Sequence, residues 1–259
     1  VLREARLPGL TEWRRVVDGR LSQLARMDRV TIYPGSTMTA ADVVETGLRH
    51  VLVATGSLWR ADGRGRSLPG GAASFLDPRT LTPDAVLDGA RPGGPVVIFD
   101  DEGYHIAAGL ADLLASEGLA VTYVTPAGTV AEWAAYTVEQ ARLQARLIDR
   151  GVTILTGQIV TGLGPGCARL ACAYTGRATE IACGGFVPVT SREPTDGLWL
   201  DLQPALAERR LDTLHRIGDA RAPGLIAHAV QDGHAFARAH LTPLPAPRRE
   251  RVILPQGAA

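Results

Sequence analysis

Lysine is absent from this sequence: all 27 basic side chains among its 259 residues are arginine, against 27 acidic ones. The formal net charge of zero argues against a general electrostatic grip on nucleic acid or on an anionic membrane surface. Cysteine is scarce as well. Cys167, Cys172 and Cys183 lack the clustered spacing that a zinc or iron–sulfur site needs. They sit in a Gly- and Ala-rich, strand-like region and read as reduced cysteines in a sheet. No disulfide framework is implied, which favours a cytoplasmic location. No charged start followed by an apolar run marks a signal peptide, and no uninterrupted apolar stretch is long enough to span a bilayer. An initiator methionine is missing, and the abrupt opening "VLREARLPGLTEW" leads us to expect the later part of a longer polypeptide.

At 46% hydrophobic, the chain can build one large or two modest cores. From Thr11 to Asp28, the residues Trp13, Val16, Val17, Leu21 and Leu24 recur at three- and four-residue steps. That spacing predicts an amphipathic helix with Thr11 as its N-cap. "VTIYPG" (Val30 to Gly35) reads as a short strand and "TAADVVETGL" as a short helix or turn. "RHVLVATGS" (Arg49 to Ser57) reads as a buried strand entering a tight turn. Residues 58–94, rich in Gly, Pro, Asp and Arg, read as a long crossover or linker. Val96 to Phe99, Ile106 to Glu117 and Val121 to Val124 then give strand, helix and strand, for which a parallel right-handed crossover is the default. A further helix runs to Gly151 and "VTILTG" follows as a strand. Gln158 to Val189 reads as an antiparallel meander, and Leu214 to Leu241 as a strand, a Gly218-Asp219 turn and a long helix. The basic run "APRRERV" near the end reads as a solvated tail.

Two turns can carry ligand chemistry. After the strand ending at Val53, the small residues Ala54, Thr55 and Gly56 let backbone approach a ligand or a neighbouring segment. Asp219, between a strand and a helix, can bind sugar hydroxyls while helix-terminal amides face phosphate, or can simply cap the helix. A third turn is notable for what it lacks. The unit from Val96 to Val124 has the layout of a phosphate-binding βαβ, yet its turn carries Asp100, Asp101 and Glu102 instead of glycines, followed by Tyr104 and His105. Like charges about 4 Å apart cost about 1–4 kcal/mol even with good screening, so this turn should repel phosphate. The histidines are scattered, and His228 and His234 are spaced badly for a shared helix face.

In this order, with a βαβ unit between them, the motifs resemble flavoproteins of the glutathione-reductase class. "VLVATGS" resembles the segment leaving the FAD domain, "RIGDA" the segment returning to it, and "GGFVPVTSREP" (Gly184 to Pro194) the closing strand of the inserted domain. More narrowly, "LPGLTEW", "MTAADVV", "VLVATGSLWRADG" and "GDARAPGLIAHAVQDGHAFAR" resemble the C-terminal third of the trimethylamine, dimethylamine and histamine dehydrogenase family, and more distantly 2,4-dienoyl-CoA reductase. The resemblance spans essentially the whole chain.

What the resemblance implies is an α/β fold of two Rossmann-like, three-layer domains of FAD/NAD(P)-binding type, one inserted in the other. Residues 1–92 and 196–259 would be the remainder of an FAD/ADP-binding-type domain whose first glycine motif is missing. Residues 93–195 would be a degenerate NAD(P)H-binding-type domain. ADP or FAD would bind here, with Trp13 and the backbone of Val30 and Thr31 on the adenosine side. Ala54, Thr55 and Gly56 would line the phosphate side, with Asp219 near the pyrophosphate. FMN and a [4Fe-4S] cluster would belong to an N-terminal part outside this sequence, leaving no catalytic residue here. The implied activity is oxidation of a methylated amine or related C–N substrate by a homo-oligomer, with electrons passed to an electron-transferring flavoprotein or similar carrier. One member of the family presents an aromatic surface residue for that carrier shortly after the position of Trp13. Here Arg14 and Arg15 follow, so either the partner differs or docking relies more on charge. Two rivals stand beside this reading: an NAD(P)H-dependent dienoyl-CoA or enoate reductase relative, opposed by the acidic turn, and a stand-alone nucleotide-binding scaffold subunit.

Overall fold

The computed structural model describes residues 2–240, so the basic run at 246–252 lies outside the described residues. In chain order the elements are α1 (Arg14–Leu24), α2 (Ala40–Glu45), β1 (His50–Val53), β2 (Ser57–Trp59), α3 (Pro83–Leu87), β3 (Val96–Asp100), α4 (His105–Ser116), β4 (Val121–Val124), α5 (Gln140–Asp149), β5 (Thr153–Leu155), β6 (Gln158–Gly164), β7 (Cys167–Cys172), β8 (Ala178–Ala182), β9 (Gly185–Val189), β10 (Arg192–Pro194), α6 (Gly197–Asp201), α7 (Gln203–Ala207), β11 (Thr213–Arg216) and α8 (Ile226–His240). They fall into two compact units, residues 2–36 with 58–193 and residues 37–57 with 194–240.

The first unit is built on a parallel sheet in the order β5-β4-β3-β9. Val96 of β3 stands opposite Val121 of β4 on one side and Gly185 of β9 on the other. All five residues of β3 are buried, because both faces of a parallel sheet are covered and its strands therefore read as continuous apolar runs. Val96 and Ile98 pack on one face with Ala107, Leu110 and Leu114 of α4. Val97 and Phe99 pack on the other with Phe75, Phe186 and residues of the antiparallel sheet β6-β7-β8. The expected meander thus ends at β8, and β9 joins the parallel sheet instead.

Residues 58–94 are more than a linker. Phe75, Val86 and Leu87 are buried in the two apolar clusters around the parallel sheet, and so is Leu7 near the start. These anchors belong to the unit formed by residues 2–36 with 58–193. Trp59 is buried, with the Arg192 guanidinium 5.3 Å from its ring centre.

The N-terminal helix departs from expectation in its details. A 3-10 turn spans Thr11–Trp13, with Leu10 at its N-cap and no side-chain cap bond, so Thr11 does not cap α1. No residue of α1 is buried. Residues 30–35 form no strand. Val30 and Ile32 are exposed, and an extended segment without a neighbour has no ladder to satisfy its backbone groups.

The second unit holds the two-stranded parallel sheet β1-β11, with His50 opposite Thr213 and Val53 opposite Arg216. Only Val53 of β1 is buried, against the expectation of a buried strand. Val53 packs with Leu202, Ala205, Leu211 and Leu214. Ahead of β1, α2 begins with a capping box: the Thr39 N–H donates to Asp42 Oδ2 (2.7 Å) while the Asp42 N–H donates to Thr39 Oγ1 (3.3 Å). Among the described residues, no helix is long and apolar enough to cross a membrane.

Candidate functional site

In the second unit, β1 and β11 deliver two turns to the same end of a parallel pair. The first is Ala54-Thr55-Gly56 and the second Gly218-Asp219-Ala220, a 3-10 turn. The Ile217 N–H donates to the Val53 carbonyl (3.0 Å), carrying the ladder into both turns. The Ser57 hydroxyl then donates to Asp219 Oδ2 (3.0 Å), and the Gly224 N–H donates to Asp219 Oδ1 (3.0 Å). Thr55 Oγ1 donates to the Thr195 carbonyl, and the Thr195 N–H returns a bond to the Gly56 carbonyl (2.9 Å). Farther along, the Gly218 N–H donates to Asp232 Oδ2 of α8 (2.8 Å), which fixes the turn on the helix that follows.

Gly56 has φ +81°, and a Cβ built there would meet nothing within 4 Å. Bare backbone at the end of a parallel strand is what a phosphate-bearing ligand needs for close approach. Ala54, Thr55, Gly56 and Asp219 are thus gathered in one unit. The other three residues singled out from sequence, Trp13, Val30 and Thr31, belong to the other unit and are exposed there, Trp13 at 42%. Ser57 was not singled out; its place two residues after Thr55 was the available signal.

The turn of the first unit is closed. Asp100 and Asp101 are both buried. Asp100 Oδ1 accepts from the Gly103 N–H (2.8 Å) and Oδ2 accepts from the Tyr123 hydroxyl. Burial pushes the Asp100 carboxyl up to about 6, with these two donors pulling the other way and the neighbouring Asp101 charge adding to the rise. The N–H groups of Asp101 and Glu102, which a phosphate-binding turn would offer outward, both donate to the Val189 carbonyl (3.0 and 3.1 Å). Above the turn, Trp133 lies between Tyr104 and Tyr136 in a ring stack, with centroids 6.5 and 5.9 Å away. The Arg66 guanidinium sits 5.8 Å from the Trp133 ring centre. His105 Nε2 is 2.8 Å from Glu139 Oε2. The buried Asp100 and Asp101 therefore do not line an open phosphate pocket and repel from there, as the sequence led us to expect. Their carboxylates, and the amides of Asp101 and Glu102, are bonded within the chain itself.

The cysteines offer no cluster site: Cys183 is buried and its thiol is pushed up to about 11 by burial. Among the described residues, no three His, Cys, Asp or Glu side chains converge as a metal site.

Comparison with known proteins bears on this geometry. No family model matches the chain. Dimethylamine dehydrogenase of Hyphomicrobium sp. (strain x) is 31% identical over 269 aligned positions, covering 90% of this chain and 36% of the relative. Histamine dehydrogenase from Rhizobium sp. 4-9 superposes with a TM-score of 0.88 at 36% identity, over 95% of this chain and 39% of that one. The chain is homologous to the C-terminal portion of these amine dehydrogenases. The 6-hydroxypseudooxynicotine amine oxidase HisD from Pseudomonas geniculata N1 gives a TM-score of 0.90 at 36% identity, over 93% of this chain and 36% of that one. The chain thus spans little more than a third of the length of the amine dehydrogenases and oxidase it matches. A flavoprotein disulfide reductase, at 14% identity, shares the α/β fold of FAD/NAD(P)-binding domains and nothing narrower.

Proposed function

We propose that this chain is the C-terminal, nucleotide-binding portion of an FMN- and [4Fe-4S]-containing oxidoreductase. That enzyme oxidises a methylated amine or related C–N substrate and passes the electrons to a carrier protein such as an electron-transferring flavoprotein. In this reading the chain holds ADP or FAD and plays a structural part, as a homo-oligomer in the cytoplasm. Two Rossmann-type domains underlie it, the FAD/ADP type carrying the site and the NAD(P)H type, degenerate at its turn, serving as scaffold. Ala54, Thr55 and Gly56 meet the phosphates, Asp219 lies near the pyrophosphate, and Trp13, Val30 and Thr31 take the adenosine side.

The observation that carries this reading is the pairing of the two turns through Ser57 and Asp219 at the ends of parallel strands, in a chain homologous to amine dehydrogenases. The bound group supplies adenine and pyrophosphate; this chain's residues bind and orient it. The closed acidic turn disfavours the nicotinamide-dependent reductase reading, because the amides a dinucleotide would need already donate to Val189. The test is to purify the intact enzyme, release its nucleotides with acid and separate them, and then add methylated amines while following the flavin spectrum. One ADP or FAD per chain together with amine-dependent bleaching is the expected result. Absence of adenine nucleotide, or bleaching by NADPH instead of an amine, overturns it.

A further inference from the structure

Residues 62–67 read "DGRGRS", a glycine-spaced stretch that the nucleotide reading leaves unused. It runs against the turn after β3. Ser67 donates twice to the Asp101 carboxylate, from its N–H to Oδ2 (2.9 Å) and from its hydroxyl to Oδ1 (2.5 Å). Arg66 Nε donates to the Asp101 carbonyl (2.9 Å). Gly65 comes so close that a Cβ there would lie 2.4 Å from Asp101 Oδ2 and 3.0 Å from Thr190 Cβ. Thr190 is only 6% exposed, and among the described residues its hydroxyl has no hydrogen-bond partner.

Converging N–H and hydroxyl donors, on a loop whose glycine lets backbone close on the ligand, are how proteins cradle small oxyanions. Here the donors belong to the crossing loop and the anion belongs to the turn, the reverse of a phosphate-binding turn. We propose that Ser67, on the loop that Gly65 lets close against the turn and that Arg66 fixes through the Asp101 carbonyl, forms an oxyanion site whose resident ligand is the chain's own Asp101 carboxylate. When that side chain is removed, the site takes a free small carboxylate. An intramolecular ligand acts at an effective concentration that a dilute anion does not match, so the native loop stays shut over the turn. The inference concerns only contacts within the first unit and does not depend on the nucleotide or amine reading of the enzyme.

The test is chemical rescue of Asp101→Gly in the full chain. Thermal unfolding is followed in sodium formate and in sodium chloride at equal ionic strength. The variant's Tm is expected to be higher in formate by at least about 3 °C. The wild type, and Asp101→Asn, whose amide fills the site, should not respond. Equal Tm values for Asp101→Gly in the two salts overturn the proposal. Should the variant fail to accumulate, its refolding yield reads the same property: a formate-dependent yield supports the site, and a yield that is equal or nil in both salts overturns it. Adding Ser67→Ala to Asp101→Gly, which leaves only the backbone N–H of residue 67 as donor, should weaken the formate response, and an undiminished response would place the anion elsewhere.

Discussion

The Ser57 hydroxyl and the Asp219 carboxylate meet at 3.0 Å across 162 residues of sequence. The Gly224 N–H occupies the other carboxylate oxygen, so Asp219 orders both its own turn and the turn after β1. Hydrogen bonds to a charged acceptor contribute about 1.5–3 kcal/mol. Asp219→Ala is therefore expected to lower stability by about 2 kcal/mol and to weaken ADP binding by about tenfold, with Asp219→Asn intermediate. Calorimetric titration of the purified protein with ADP checks this, and an unchanged affinity in the alanine variant would remove the turn from the nucleotide site.

Asp100 titrates in the wrong direction for an ordinary surface carboxylate. Its folded value of about 6 lies above the ordinary 3.8, so folding favours the protonated form. The associated stability is complete below about pH 3.8, declines as pH rises, and is gone above about pH 6. Asp100→Asn removes the titration. Relative to the wild type, it should gain on the order of 2–3 kcal/mol between pH 4 and pH 7, with no further change above. Urea unfolding of both proteins across that range gives the comparison, and parallel curves would show that the buried carboxyl does not titrate there.

Leu7 is fully buried against the cluster that includes Leu110 and Val86, and its side chain lies 3.0 Å from where a Cβ on Gly109 would stand. Truncating a buried leucine costs about 2–5 kcal/mol. Leu7→Ala should therefore destabilise the first unit by about 3 kcal/mol, although it lies far in sequence from the parallel sheet. A loss below about 1 kcal/mol in chemical unfolding would show that the N-terminal segment is not part of that core.

The thiols should differ in reactivity. Hydrogen bonds from the Thr175 side chain and from the Tyr174 and Thr175 backbone lower the Cys172 thiol, whereas burial raises Cys183 to about 11. The thiolate is the nucleophile, so iodoacetamide at neutral pH should modify Cys172 first and Cys183 last. Peptide mass mapping over a time course reads the order, and early labelling of Cys183 would contradict it.

Periodicity and turn chemistry carried much of this architecture. The strand, helix and strand around α4 stand within a residue of where the apolar pattern put them, because β3 opens on four consecutive apolar residues, β4 is rich in β-branched and aromatic residues, and α4 is too long an apolar run for a strand. The pattern misled where burial depends on partners distant in sequence. Val30 to Tyr33 has strand-forming residues but no pairing strand among the described residues, and β1 looked buried although it pairs on one side only among them. Residues 58–94 read as linker because Phe75, Val86 and Leu87 are isolated among Gly, Pro and Arg, and isolated anchors leave no period. At the turns, residue type marked Asp219 and the acidic run, but not where their hydrogen bonds go. Asp101 read as a repelling charge; its two bonds to Ser67 could not be seen without the fold.

β3 lies between β4 and β9 with all five residues buried, while α1 buries none. Amide deuteration should follow that contrast. The β3 amides should reach solvent mainly when the first unit opens as a whole, so they are expected among the slowest of that unit to exchange and to report its stability. The α1 amides are lost through opening of that helix alone and report nothing about the sheet. Any ligand-induced slowing seen in β3 would therefore measure binding to the folded unit as a whole, and slowing confined to α1 would mark a surface being covered.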